Sequence, residues 1–321
     1  MAATADDLLR LSQCLAHEGT TAWLPTVITS PLDTIERCDA IIAEAIAAQA
    51  DMERASRRGS RQPVGASILG MHLEGPFISP QRRGAHPPLS LLPQGAALDR
   101  ILALKTLKLI TLAPELEGAL DAIPRLVARD VIVSIGHTDA DYEQAVAGLK
   151  AGATMLTHLF NAMPPFHHRA PGPIGAATHE LKPTVTLIPD GAHVHPAALR
   201  LTTSLTRCFV SDRVSFAGGD QASTTLFGRP GKGAYQDGRV VRLADGTLAG
   251  STITMLEAAQ TLHRELGSEI SAVQAATSLN AAEALHLSDR GRIALKARAD
   301  LILLDRDLNL KTVVIAGREI D

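Results

Sequence analysis

Short uninterrupted apolar runs alternate along the chain with longer stretches whose apolar residues recur every three or four positions. The first kind reads as strands buried on both faces, the second as helices with one apolar stripe. Runs of the first kind fall at 22–27, 67–73, 107–112, 131–135, 154–157, 184–188 and 208–211, seven strands in all. Helical spacing covers 6–17, 32–54, a segment around 99–103, 116–129, 141–151, 196–205, 251–266 and 270–279. Residues 57–63 form a polar turn, and the Gly-rich stretch 218–250 reads as a lid or hairpin. From 291 the pattern changes to short β-runs at 300–304 and 312–315. Strand–helix alternation calls for a parallel sheet with right-handed crossovers. A closed (β/α)8 barrel needs eight strands. Only a helix precedes the first run, so the barrel is expected to be one strand short at its front.

The groups at the strand ends narrow the chemistry. Glu74, Glu115, His137, His158, His193 and Asp212 stand at or just after strand ends. In a parallel barrel all of them project at the C-terminal face, where active sites sit. Two histidines and a carboxylate are a ligand set for a catalytic metal, with a position left for water. His137 and His158 are 21 residues apart, about one strand–helix unit, and so occupy neighbouring strands. Glu74 is the preferred carboxylate because Gly75-Pro76 stops its strand at the rim; Glu115 is the rival. Asp212 ends the last barrel strand and can take a proton from water polarised by such a metal. Arg169, beside Pro171-Gly172-Pro173, is a rigidly placed guanidinium suited to phosphate or carboxylate. His72 reads as a satisfied interior histidine, His195 as structural, and His167 and His168 as solvated.

Composition removes several classes. Net charge is −3 and no long basic run occurs, so nucleic acid is not an expected partner. Aromatics at 3% argue against base-stacking platforms. No apolar run reaches about 18 residues, the length of a membrane span. The acidic start lacks the basic-then-apolar order of a signal peptide. Cys14, Cys38 and Cys208 are scattered, and each reads as a small buried hydrophobe in a reducing, cytoplasmic setting. Neither a phosphate-cradling Gly-rich loop nor a GxSxG elbow comes after a strand.

Across nearly its whole length the chain resembles the N-acetylglucosamine-6-phosphate deacetylases of the amidohydrolase superfamily. The resemblance is carried by GMHLEGPFISPQRRGAHPP (70–88), GHTDADYEQAVAGLKAGATMLTHLFNAMPPFHHRAPG (136–172), IPDGAHV (188–194), FVSD (209–212), LAGSTITM (248–255) and RGRIALKARADLILLD (290–305). It implies a TIM-like (β/α)8 barrel of the metal-dependent hydrolase type at 1–289, incomplete at its N-terminus. Residues 290–321 would be the C-terminal remnant of a small β-sandwich. Family members begin with the other half of that sandwich and a first barrel strand. Without these partners, the C-terminal strands are expected to show open edges and apolar surface.

The resemblance also implies roles. Glu74, His137 and His158 would hold one divalent ion, Zn²⁺ first, with Fe²⁺, Co²⁺ or Mn²⁺ as alternatives. Asp212 would be the general acid/base, and His86 would position and polarise the substrate carbonyl. Ala85, Asn161, Ala162, His193 and Arg169 would contact the sugar phosphate, Arg169 from the partner subunit of a homodimer. Met255 would line the acetyl pocket. The implied reaction turns N-acetyl-D-glucosamine 6-phosphate into D-glucosamine 6-phosphate and acetate. Alternatives are a related amidohydrolase for another N-acyl or cyclic amide, and a silent truncated barrel with a binding role.

Overall fold

The computed structural model describes residues 4–58, 64–214, 223–226 and 229–320. Helix α1 (Ala5–His17) opens on Thr4, whose hydroxyl accepts the Asp7 N–H. Strands β1 (Ala22–Trp23) and β2 (Thr26–Ile28) precede the long helix α2 (Leu32–Arg57). Strands β3 (Ser67–Ile68) and β4 (Met71–Glu74) come next, then α3 (Gly95–Leu102) and β5 (Leu107–Leu112). The order continues with α4 (Ala119–Val127), β6 (Ile132–Ile135), α5 (Tyr142–Ala151) and β7 (Met155–Leu156). The short helix α6 (Gly172–Ala176), β8 (Thr184–Leu187), α7 (Pro196–Leu201) and β9 (Thr206–Phe209) complete the alternation.

Seven parallel strands form one sheet in the order β2-β4-β5-β6-β7-β8-β9. The expected number of strands is met. The first run, however, is split: β1 pairs with β3 and only β2 joins the main sheet. Pro25 lies at the break and has no N–H for the ladder; its carbonyl instead accepts from the His72 N–H. The strands are covered on both faces, and all four β6 residues are buried, Ser134 among them. Helix α4 shows the packing rule. Ala119, Ala122, Ile123 and Leu126 recur at one-turn spacing and are fully buried against the sheet.

Beyond β9, strands β10 (Ser223–Leu226), β11 (Arg229–Asp237), β12 (Val240–Leu243) and β13 (Leu248–Ser251) form an antiparallel sheet. The expected lid or hairpin is therefore four-stranded in its described part, and 215–222 and 227–228 lie outside the described residues. The helix expected at 251–266 is shorter. Helix α8 (Met255–Gln260), capped reciprocally by Thr254 and Glu257, passes into a π-turn, Thr261–Glu265. Helices α9 (Ile270–Gln274) and α10 (Asn280–Ala284) flank a second π-turn, Ala275–Leu279. Strands β14 (Leu301–Leu304), β15 (Leu310–Ile315) and β16 (Arg318–Ile320) close the chain as a separate sheet, with β16 unforeseen. Its inner face packs Val313 and Ile315 on Ala16 and Val64. On β14, Leu301, Ile302 and Leu303 are 41%, 41% and 62% exposed. Cys14 corrects an expectation, because it is exposed on α1 while Cys38 and Cys208 are buried.

The α4 contact yields a stability prediction. Ile123→Ala leaves a cavity in the helix–sheet core and should cost about 2–5 kcal/mol. Urea unfolding is expected to show a lower midpoint at unchanged slope; an unshifted midpoint contradicts the packing described.

Candidate metal centre

Three strand ends converge. Glu74 closes β4, His137 stands two residues after β6, and His158 two residues after β7. All three side chains are buried. Glu74 Oε1 lies 3.1 Å from His137 Nε2 and 3.0 Å from His158 Nε2, and the two nitrogens are 3.1 Å apart. Glu115, the rival carboxylate, is outside this group and instead accepts from Thr138 and Asp139.

Backbone geometry aims these groups inward. His137 (φ +47°), His158 (φ +31°) and Asp212 (φ +45°) all adopt the left-handed region that side chains other than glycine rarely occupy. Such strain persists only where the surroundings enforce it, and it gathers at functional sites. Here the enforcement is visible. The His137 carbonyl accepts from the Ser79 N–H, and Thr138 N–H donates to the Ala162 carbonyl. Gly75 (φ +84°) is required behind Glu74, because a Cβ there would stand 2.1 Å from Thr29 Oγ1.

Proton accounting tests whether a cation fits. His137 Nδ1 is 2.8 Å from the Arg82 carbonyl, which can only accept, so Nδ1 carries the proton. Burial pulls the His137 pKa down to about 4 against the pull of Glu74, so the ring is neutral and Nε2 is a bare lone pair. That lone pair faces a carboxylate oxygen. Burial also works against ionisation of Glu74, yet the surrounding His137, His158 and His86 reverse it and hold the carboxyl well below its ordinary value. His158 is likewise opposed by burial, but the Glu74 and Asp212 charges raise its pKa. Three ligand atoms thus converge in a buried site, and a divalent cation satisfies all three at once.

Ten of the eleven nominated residues line one cavity of about 2120 Å³: Ala85, His86 and Glu74, His137 and His158, Asn161 and Ala162, His193, Asp212 and Met255. Arg169 does not join them. It sits on an exposed loop with Nη1 2.8 Å from His168 Nε2. His86 Nε2 is 3.5 Å from Glu74 Oε2, and its Nδ1 is 3.0 Å from Thr29 Oγ1. Asp212 has its pKa raised by burial and by the charge of Glu74.

Two features escaped the sequence reading. Asp190 accepts His193 Nδ1 at 2.5 Å as well as the N–H groups of Ala192 and His193. It thereby fixes the imidazole so that Nε2 is left for the cavity; the DGxH spacing was the available signal. Below the metal residues lies a hydroxyl layer, in which Thr157 bonds Thr111 at 2.8 Å and Ser134 at 2.6 Å. His72 closes it at 2.9 Å from Thr111, a satisfied interior histidine as expected. His195 caps α7 by accepting the Ala197 N–H, which is structural as expected.

Metal binding should be pH-dependent with a defined sign. The His158 pKa is raised, so below it an incoming ion must displace a proton. Affinity is predicted to fall about tenfold per pH unit on that side, with about one proton released per ion. Calorimetry of zinc uptake by metal-stripped protein, in buffers of different ionisation enthalpy, measures the proton count. Uptake without proton release contradicts the arrangement.

The chain is similar to known proteins along most of its length. The amidohydrolase family model matches residues 4–320. An N-acetylgalactosamine-6-phosphate deacetylase of Escherichia coli O157:H7 is 36% identical over 320 residues, 98% of this chain and 81% of that protein. An N-acetylglucosamine-6-phosphate deacetylase of Danio rerio is 37% identical over 95% of this chain and 75% of its own length. Among solved structures, an aspartate-to-alanine mutant of the Mycobacterium smegmatis N-acetyl-D-glucosamine-6-phosphate deacetylase, in complex with N-acetyl-D-glucosamine-6-phosphate, superposes with a TM-score of 0.83. It is 34% identical over 98% of this chain and 81% of that one.

Proposed function

The chain belongs to the amidohydrolase family, and we propose that it hydrolyses the acetamide of N-acetyl-D-glucosamine 6-phosphate to D-glucosamine 6-phosphate and acetate. The observation that carries this reading is the convergence of Glu74, His137 and His158 in a cavity that Asp212 and His86 also line. The galactosamine epimer is the second reading, favoured by the relative from Escherichia coli.

A divalent cation on Glu74, His137 and His158, zinc before iron, cobalt or manganese, supplies Lewis acidity and brings the pKa of a water toward neutrality. Asp212 takes the proton of the attacking water and returns it to the departing amine. Its raised pKa suits both halves of that transfer. His86 donates from Nε2 to the acetamide oxygen, which requires the Thr29 hydroxyl to donate to Nδ1. Ala85, Asn161, Ala162 and His193 contact the sugar phosphate, and Met255 packs on the acetyl methyl. Arg169 serves the phosphate in the neighbouring active site of a homodimer; its exposure outside its own cavity supports this role.

The barrel unit is 1–289 and the sandwich remnant 290–321, a division supported by the separate C-terminal sheet. Among the described residues no helix is long and apolar enough to cross a membrane. The odd number and wide spacing of Cys14, Cys38 and Cys208 support a cytoplasmic setting.

Acetate release from the two epimeric sugar phosphates and from unphosphorylated N-acetylglucosamine tests the proposal. Turnover is expected with the phosphorylated sugars. Asp212→Asn should lower kcat by about 10²–10⁴. Arg169→Ala should raise KM about tenfold or more for the phosphorylated substrate, as loss of a charge-assisted contact implies, and hardly change it for the neutral sugar. Folded, metal-loaded protein that releases no acetate from any of them overturns the proposal.

A further inference from the structure

Glu115 ends its strand region as a carboxylate that is not a ligand, yet both of its oxygens are in use. Oε2 accepts the Thr138 hydroxyl at 2.5 Å and Oε1 accepts the Asp139 N–H at 2.7 Å. These are the two residues directly after His137, the point where the backbone turns left-handed. The Thr138 oxygen in turn accepts the Ala140 N–H at 3.0 Å, so the turn is fastened at three successive residues.

The segment held by Glu115 closes a ring on the ligand. From the His137 backbone the chain runs to Asp139, whose carboxylate accepts Arg82 Nε at 2.7 Å. The carbonyl of the same Arg82 accepts the Nδ1 proton of His137 at 2.8 Å. The imidazole is thus gripped at both ends by one circuit: Cα through Thr138 and Asp139, Nδ1 through Arg82. Outer hydrogen bonds of this kind fix the tautomer and orientation of a metal-binding histidine. The Arg82–Asp139 pair is half-exposed, 35% and 44%, and exposed ion pairs are weak alone. The part-buried Glu115 is what holds Asp139 in place to make that pair.

We propose that Glu115 is a positioning residue for His137, setting metal affinity through the 138–139 turn and the Asp139–Arg82–His137 circuit. This rests on the metal reading of Glu74, His137 and His158. In Glu115→Gln the amide oxygen can still accept the Asp139 N–H while the amide nitrogen donates to the Thr138 hydroxyl oxygen, so both contacts can persist without the charge. Glu115→Ala removes both acceptors.

The test is the zinc dissociation constant of metal-stripped protein, measured by competition with a chromogenic chelator. Glu115→Ala is expected to weaken binding about 10–100-fold, and Glu115→Gln, which can keep both contacts, much less. Asp139→Asn, which leaves Glu115 its backbone partner but weakens the Arg82 bond, should weaken it less. Turnover should return toward the wild-type kcat at saturating zinc. Glu117→Gln, on the exposed neighbouring position, should bind as wild type. A merely structural carboxylate would lower the melting temperature and leave the affinity of the folded fraction unchanged. Folded Glu115→Ala and Asp139→Asn proteins with wild-type affinity, within twofold, overturn the inference. If Glu115→Ala does not fold, Asp139→Asn decides alone. Wild-type protein that binds no zinc instead refutes the metal reading itself.

Discussion

Three potential ligand atoms brought within 3.0–3.1 Å of one another in a buried pocket are the constraint the rest of the molecule answers to. Left unneutralised, such a cluster is costly, because low polarity magnifies repulsion between acceptors. The fold accepts that cost and adds local strain, in left-handed backbone at His137, His158 and Asp212. Apolar burial elsewhere outweighs it. The shell of Ile110, Ile123, Leu126, Val133 and Ile135 between sheet and helices is fully buried.

The surroundings divide the work by chemistry. Carbonyls and carboxylates set proton positions: Arg82 for His137, Asp190 for His193. The hydroxyls of Thr111, Ser134 and Thr157 fill the barrel under the metal residues with groups that satisfy one another, so no charge is needed there. Asp212 stays apart from these bonds. Burial and the nearby Glu74 charge raise its pKa, the property a proton carrier needs.

Strand ends were legible in the sequence for a physical reason. A parallel strand covered on both faces is predominantly apolar, so an ionisable group at its end is conspicuous, as His137 and His158 were. Glu74 and Glu115 could not be separated that way, since both end strand regions as carboxylates. Gly75-Pro76 favoured Glu74, and register gives the reason: Glu74 pairs with Ile28 and Thr111 inside the sheet, whereas Glu115 lies beyond the last residue of β5. The split at Pro25 was hidden by an otherwise apolar run. The two π-turns leave no compositional trace, because widening a helical turn by one residue needs no special side chain. Asp190 was visible within DGxH, but its purpose depends on the His193 ring folding back over a three-residue turn. The hydroxyl layer joins residues more than twenty positions apart, beyond the reach of local pattern.

The central claim is that Glu74, His137 and His158 hold a single divalent cation together. A crystal of zinc-loaded protein, measured at wavelengths on either side of the zinc absorption edge, tests it most directly. The account predicts one strong anomalous peak about 2.0–2.2 Å from Glu74 Oε1, His137 Nε2 and His158 Nε2. A map with the three side chains in place and zinc bound elsewhere, or bound by only one of them, would contradict it.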